Sequence, residues 1–307
     1  MNPFHWFSSR ITEWLTREQE PTGLPQCDFD RLAFEIRPGD VLLVEGRSRI
    51  SEVIKTITQS QWTHAALYIG RLHEIEDEAT REHVSWLYDG EPNDQLLIES
   101  MLGKGTIVSN IRNYAGDHLR VCRPTGLTRR DANRVVEYAA KHLGRDYDMR
   151  HLLDLARFVF PYGVIPRRWR SSLFEHRVGL PTRTVCSTMI AAAFASVNFP
   201  ILPVVRRQES GEITFYKRNT KLYVPRDFDI SPYFEIFKYP LLGLHDLAVY
   251  RQLPWDTEGV VCNDEDECFI PVPDTATPVS VGADGEAVAV PGQAGPDGGS
   301  AKPTNSS

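Results

Sequence analysis

Residues 63–70, Thr63-His64-Ala65-Ala66-Leu67-Tyr68-Ile69-Gly70, form a short apolar run with a histidine near its head and a glycine at its end. Ala65 to Ile69 predicts a strand stopped by Gly70, which sets His64 at a sheet end, after the Trp62-Thr63 loop. Upstream, Pro38-Gly39 marks a turn and Asp40 to Glu45 (DVLLVE) predicts another strand. Between the two, Ser48 can cap a helix whose Ile50, Val53, Ile54 and Ile57 recur at i, i+3, i+4 and i+7. Downstream, Arg71 to Gln95 holds eight Asp/Glu against two Arg. It is too long for a hairpin loop and reads as a part-helical surface insertion. Leu96 to Glu99, Thr106 to Ile111 and Leu119 to Arg123 predict three more strands, the first two joined through a Gly103/Gly105 turn.

The period then changes. Thr128 with Asp131 resembles a capping box, and Ala132, Val135, Val136, Ala139 and Leu143 share one helical face that Gly144 ends. Met149 to Phe160 predicts a second helix. Tyr162 to Arg183 reads as irregular and basic, and Cys186 to Val197 predicts a third helix. Lys221 to Arg251 is aromatic-rich and is expected to close the domain with a short strand at Leu247 to Arg251. Antiparallel strands followed by clustered helices indicate an α+β fold, an antiparallel sheet packed on helices.

Three segments follow from composition. Residues 1–26 carry Phe4, Phe7, Ile11, Trp14 and Leu15 at helical spacing, an amphipathic segment that can dock on its own domain or lie on a membrane. Residues 27–270 are globular. Residues 271–307 hold six Pro, six Gly and no aromatic residue, and are expected to be disordered. With 307 residues, 24% charged residues and a net charge of −7, the chain does not suit general nucleic-acid binding. No run of 18 apolar residues occurs, so a transmembrane helix is not expected. Met1 to Glu20 lacks a basic segment followed by an unbroken apolar stretch, and five scattered cysteines suit a reducing compartment. The expected location is cytoplasmic, with peripheral membrane contact as an option.

Glycine-rich phosphate loops and zinc-ligand spacings are absent; Cys262 and Cys268 enclose an acidic pentapeptide and read as two free thiols on a surface loop. Cys186 differs, because it opens a helix, where unsatisfied N–H groups and the macrodipole favour a thiolate. It is either a small buried hydrophobe or a nucleophile. A thiolate needs a base, and His64 at a sheet end is the best-placed candidate, against the plainer reading of a surface histidine. Glu99 follows three apolar residues in a strand expected to neighbour that of His64. It is either a solvated edge charge or the group that orients the imidazole.

Arg37-Pro38-Gly39-Asp40 leading into a strand, the stretch 63–70, Ile98-Glu99, Thr106-Ile107-Val108, Gly144 to Asp148 and Val185-Cys186-Ser187 together resemble the permuted papain-like proteins of the YiiX/YaeF-like branch of the NlpC-type cysteine peptidase superfamily. In unpermuted relatives the cysteine helix precedes the histidine strand; here His64 comes first and Cys186 last. The resemblance covers about Arg37 to Asn198. It implies a circularly permuted papain-like fold, Cys186 as nucleophile, His64 as general base and Glu99 as third member. It also implies hydrolysis of an amide or ester bond through a thioester, with no metal or organic cofactor. Relatives divide between amidases acting on cell-wall-type peptides and lipid acyl hydrolases or transferases. A small-molecule, peptide or lipid substrate is therefore expected. A non-catalytic ligand- or membrane-binding scaffold of the same fold is the alternative. Between Thr128 and Arg183 twelve Arg/Lys face six Asp/Glu. Within that excess, Arg167, Arg168, Trp169 and Arg170 are either a solvated basic face or a rim meeting anionic headgroups or an acidic substrate.

Overall fold

A computed structural model of the chain describes residues 17, 27–101, 104–144, 185–243, 247–256, 258–262, 267–270, 279–281 and 287–289. It divides into two units, Met1–Leu242 and Gly243–Ser307. The first unit is built from α1 (Phe29–Glu35), β1 (Val41–Glu45), α2 (Arg49–Thr58), β2 (His64–Gly70), α3 (Glu78–Leu87), β3 (Leu96–Met101), β4 (Gly105–Asn110), β5 (His118–Pro124), α4 (Arg129–Ala140), α5 (Val185–Ser196), β6 (Val204–Arg207), β7 (Ile213–Tyr216), α6 (Arg226–Asp229) and β8 (Phe234–Phe237). Six strands form one antiparallel sheet in the order β4-β3-β2-β1-β5-β8. The fold is α+β and permuted papain-like, as the sequence indicates.

The central strands read as apolar runs because both of their faces are covered. Val41, Leu43, Ala65, Leu67 and Ile98 belong to one buried cluster, with Val135, Val136 and Ala139 of α4 and Met189, Ile190 and Phe194 of α5. Leu42, Val44, Ala66, Tyr68 and Leu97 belong to the other, with Leu32 of α1 and Ile111 and Tyr114. Alternation along each strand thus sends successive side chains into two different cores.

The expected helix ends are present in atomic detail. Ser48 accepts from the Ser51 N–H and Thr128 from the Asp131 N–H, each satisfying a donor that the first turn leaves free. The acidic insertion is less of a surface feature than its charge suggests. Val84 of α3 and Ile75 before it are buried in the first core, and Asp77 caps α3 by accepting from Thr80 N–H at 2.8 Å. Gly70 closes β2 at φ +87°, where an added Cβ would stand 2.7 Å from Glu74 Oε2, so only glycine fits the turn.

Two sequence expectations need correction. Leu247 to Arg251 is not a strand: Val249–Gln252 forms a 3-10 turn preceded by Ala248 at φ +64°, a left-handed residue that breaks an extended run. The strand that closes the sheet is β8, which pairs with β5 through Cys122↔Ile236 and Arg123↔Glu235. Cys262 and Cys268 are also not free thiols. They lie directly opposite across β9 (Val261–Cys262) and β10 (Cys268–Ile270) and form a disulfide. Within 271–307, two three-residue strands, β11 (Val279–Val281) and β12 (Ala287–Ala289), extend the β9–β10 pair to a four-stranded sheet. The expected helix Met149 to Phe160, the Tyr162 to Arg183 segment and the amphipathic residues at the N-terminus, Arg17 apart, lie outside the described residues.

Candidate active site

Histidine 64 is the first residue of β2 and pairs with Val44 of β1. That register holds its backbone in the sheet while leaving its side chain 20% exposed. Glu99 stands on the neighbouring strand β3, opposite Ile107 of β4, and is 1% exposed. Its Oε2 lies 2.5 Å from His64 Nε2. With Nε2 engaged, Nδ1 is the ring nitrogen left for Cys186, with which His64 also shares a side-chain hydrogen bond. Cys186 is the second residue of α5 and is buried. Its Sγ lies 3.9 Å from the Ser187 hydroxyl. α5 is apolar around most of its circumference; Ile190, Ala191, Ala193 and Phe194 are all buried. That burial anchors the helix, whose first-turn N–H groups lie beside the thiol.

The three residues singled out from the sequence are therefore brought together, from β2, β3 and α5. Arg167, Arg168, Trp169 and Arg170 lie outside the described residues. Two further residues complete the cluster. Ser109 of β4 donates its hydroxyl to Glu99 Oε1, and Tyr114 donates to Glu99 Oε2 at 2.5 Å. The Tyr114 ring also stacks on His64, with centroids 6.2 Å apart and planes 30° from parallel. Sequence reasoning missed both. A trace of them exists: Ser109 is diagonal to Glu99 in the β3–β4 register and follows Ile107-Val108. Tyr114 sits in a 3-10 turn, Ile111–Tyr114, whose geometry no periodicity reveals.

Burial disfavours a charge on His64, but the Cys186 thiol and the Glu99 carboxylate outweigh it and push its pKa up to about 10. Burial likewise works against Glu99, yet its bonds from His64, Ser109 and Tyr114 hold its pKa below the usual carboxylate value. The arrangement favours an imidazolium at His64 beside the Glu99 carboxylate.

The His64, Glu99 and Cys186 cluster stands at one end of the sheet. At the other end of β1, a cavity of about 620 Å³ is bordered by Arg37, Asp40, Arg123 and Arg129. The buried Asp40 and Arg123 form an ion pair there at 2.7 Å. Among the described residues, no group of three or more His, Cys, Asp or Glu is placed to hold a metal ion. No helix among them is long and apolar enough to cross a membrane.

Residues 35–160 match the family described as permuted papain-like amidase enzyme, YaeF/YiiX, C92 family. The match includes His64 and Glu99, stops before Cys186 and spans less than half of the chain. It bears out the resemblance read from the sequence, and it supports hydrolysis of amide bonds as the class of activity. Among solved structures, the metalloprotein yiiX from Escherichia coli O157:H7 aligns at 13% identity with a TM-score of 0.37. The alignment covers 71% of this chain and 98% of that one. No curated protein sequence matches.

Proposed function

We propose that this chain, matching the permuted papain-like amidases over residues 35–160, is a cysteine hydrolase that opens an amide bond through a thioester on Cys186. The observation that carries the proposal is the position of His64, bonded to Glu99 on one ring nitrogen and to Cys186 through its side chain. In the first step the Cys186 thiolate attacks the carbonyl carbon and the oxyanion forms near the first-turn N–H groups of α5. The C–N bond then breaks as His64 gives its proton to the leaving amine. In the second step water attacks the thioester, His64 takes the water proton, and a carboxylic acid leaves with the thiolate restored. Glu99 fixes the imidazole and offsets its charge throughout. No step calls for a group beyond these side chains and water.

A peptide amide is the favoured substrate class, because the family match is to amidases. A lipid acyl substrate is the second reading. It rests on the excess of basic residues and the run Arg167, Arg168, Trp169 and Arg170 shortly before the nucleophile in sequence.

The test is turnover of a panel of peptide amides and acyl lipids by the parent, Cys186→Ala and His64→Ala. Each variant is expected to lose at least about a thousandfold in kcat/KM while keeping its circular dichroism, since neither partner alone is an efficient catalyst. Acid quenching of the parent should trap an acyl adduct on Cys186. Full activity of Cys186→Ala would remove the mechanism and leave the scaffold alternative.

A further inference from the structure

We propose that Tyr114, seconded by Ser109, is a positioning residue that fixes the Glu99 carboxylate and the His64 ring as one unit. The proposal rests on the catalytic assignment of Cys186 and His64 above. Glu99 is nearly inaccessible to solvent, and a carboxylate in such a place is costly unless donors replace its water. Three do so: His64 Nε2 and the Tyr114 hydroxyl both reach Oε2, and the Ser109 hydroxyl reaches Oε1. Tyr114 does more than satisfy a buried acceptor. Its hydroxyl takes the same oxygen that His64 uses, and its ring lies against the imidazole. One side chain thus restrains both members of the pair. It is itself held by the 3-10 turn Ile111–Tyr114, capped where Asn110 accepts from the Arg112 N–H at 2.9 Å.

The charge balance gives this a measurable sign. A thiolate, an imidazolium and a carboxylate sum to one negative charge, and the two hydroxyl dipoles stabilise that excess. Without them, a higher pH is needed to reach the reactive state. Cys186 from α5, Tyr114 and Ser109 face the pair. The Arg47–Asp117 ion pair, at 2.9 Å, follows next along the chain from β1 and from Tyr114.

The experiment is the rate of Cys186 alkylation by iodoacetamide from pH 4 to 10, read by mass spectrometry of the Cys186 peptide, so that no substrate is needed. In Tyr114→Phe the acid limb is expected to move up by about half to one pH unit, the scale of one lost hydrogen bond. Ser109→Ala should shift it in the same direction, and Ser109→Thr, which keeps a hydroxyl, should restore it. Ser109→Ala is the smaller change and carries the test if Tyr114→Phe fails to fold. Tyr239→Phe removes a tyrosine–carboxylate bond elsewhere in the fold, to Glu35 at 3.3 Å, and should leave the limb in place. Coincident limbs for the parent, Tyr114→Phe and Ser109→Ala would overturn the positioning role while leaving the catalytic assignment standing. A parent whose Cys186 reacts no faster than a simple thiol at any pH would instead overturn the catalytic assignment, and this proposal with it.

Discussion

Two buried carboxylates at opposite ends of one sheet are handled by different means. Asp40 faces the Arg123 guanidinium, yet burial still pushes its pKa up. Glu99 is held down by a histidine and two hydroxyls. His64 is the group through which this difference becomes a pH effect. Its pKa is raised from 6.5 to about 10, with burial opposing and Cys186 and Glu99 prevailing. A raised basic group contributes stability that is complete below its unfolded value and is lost as pH climbs through the folded one. The urea midpoint of the parent should therefore fall between pH 6.5 and about 10 more steeply than that of His64→Gln. Parallel curves over that window would show that His64 carries no such charge. Glu99 works with the opposite sign, its share being lost as pH falls through its lowered value. At this scale the sequence was most informative about residues whose type is costly where it stands. A histidine heading an apolar strand, an acid after Leu96-Leu97-Ile98 and a cysteine opening a helix all stood out. Ser109 and Tyr114 did not, because a serine in a strand and a tyrosine after one are ordinary until their hydroxyls are seen to converge.

Secondary-structure elements were legible where a period and a cap agreed. α2 and α4 show both, and each begins after the residue that the sequence nominates. β8, only four residues long, lies in an aromatic stretch without alternation, so its pairing with β5 is a tertiary choice. The β6–β7 hairpin was missed for the same reason. The Cys262–Cys268 bridge depends on two strands meeting in register, which the spacing and the acidic residues between the cysteines do not reveal. One close approach between elements has a direct bearing on the site. Gly46 follows β1, and its N–H donates to Thr63 Oγ1 at 2.9 Å, one residue before His64. A Cβ there would stand 2.4 Å from Ser51 Oγ and 2.8 Å from Thr63 Oγ1. Gly46→Ala should cost about 1–3 kcal/mol through forced displacement. It should also lower kcat, because Thr63 carries the shift to His64. Ser48→Ala removes the cap of α2 and a hydroxyl contact with Ser51, costs about 1 kcal/mol and should leave kcat close to the parent. Equal kcat for both variants at matched stability would show that the loop before His64 is not a constraint on the site.

The molecule as a whole divides at Leu242, earlier than the boundary at residue 270 expected from composition. Composition locates where apolar content ends, whereas the division follows where contacts thin out. All of the residues assigned to chemistry lie in the first unit. A chain ending at Leu242 should therefore keep the melting temperature of that unit within a few degrees and alkylate Cys186 at the parent rate. A large loss of either would show that the second unit supports the first. The sheet also has a temporal meaning. β1 to β5, with His64 and Glu99 in place, are complete by Pro124, while Cys186 follows about 60 residues later. At ordinary rates of synthesis that interval is roughly 3–12 s. A chain leaving the ribosome thus carries His64 and Glu99 before the Cys186 thiol has been made. The permuted order brings the proposed nucleophile into a chain whose first five strands already exist, with β8 left to close the sheet.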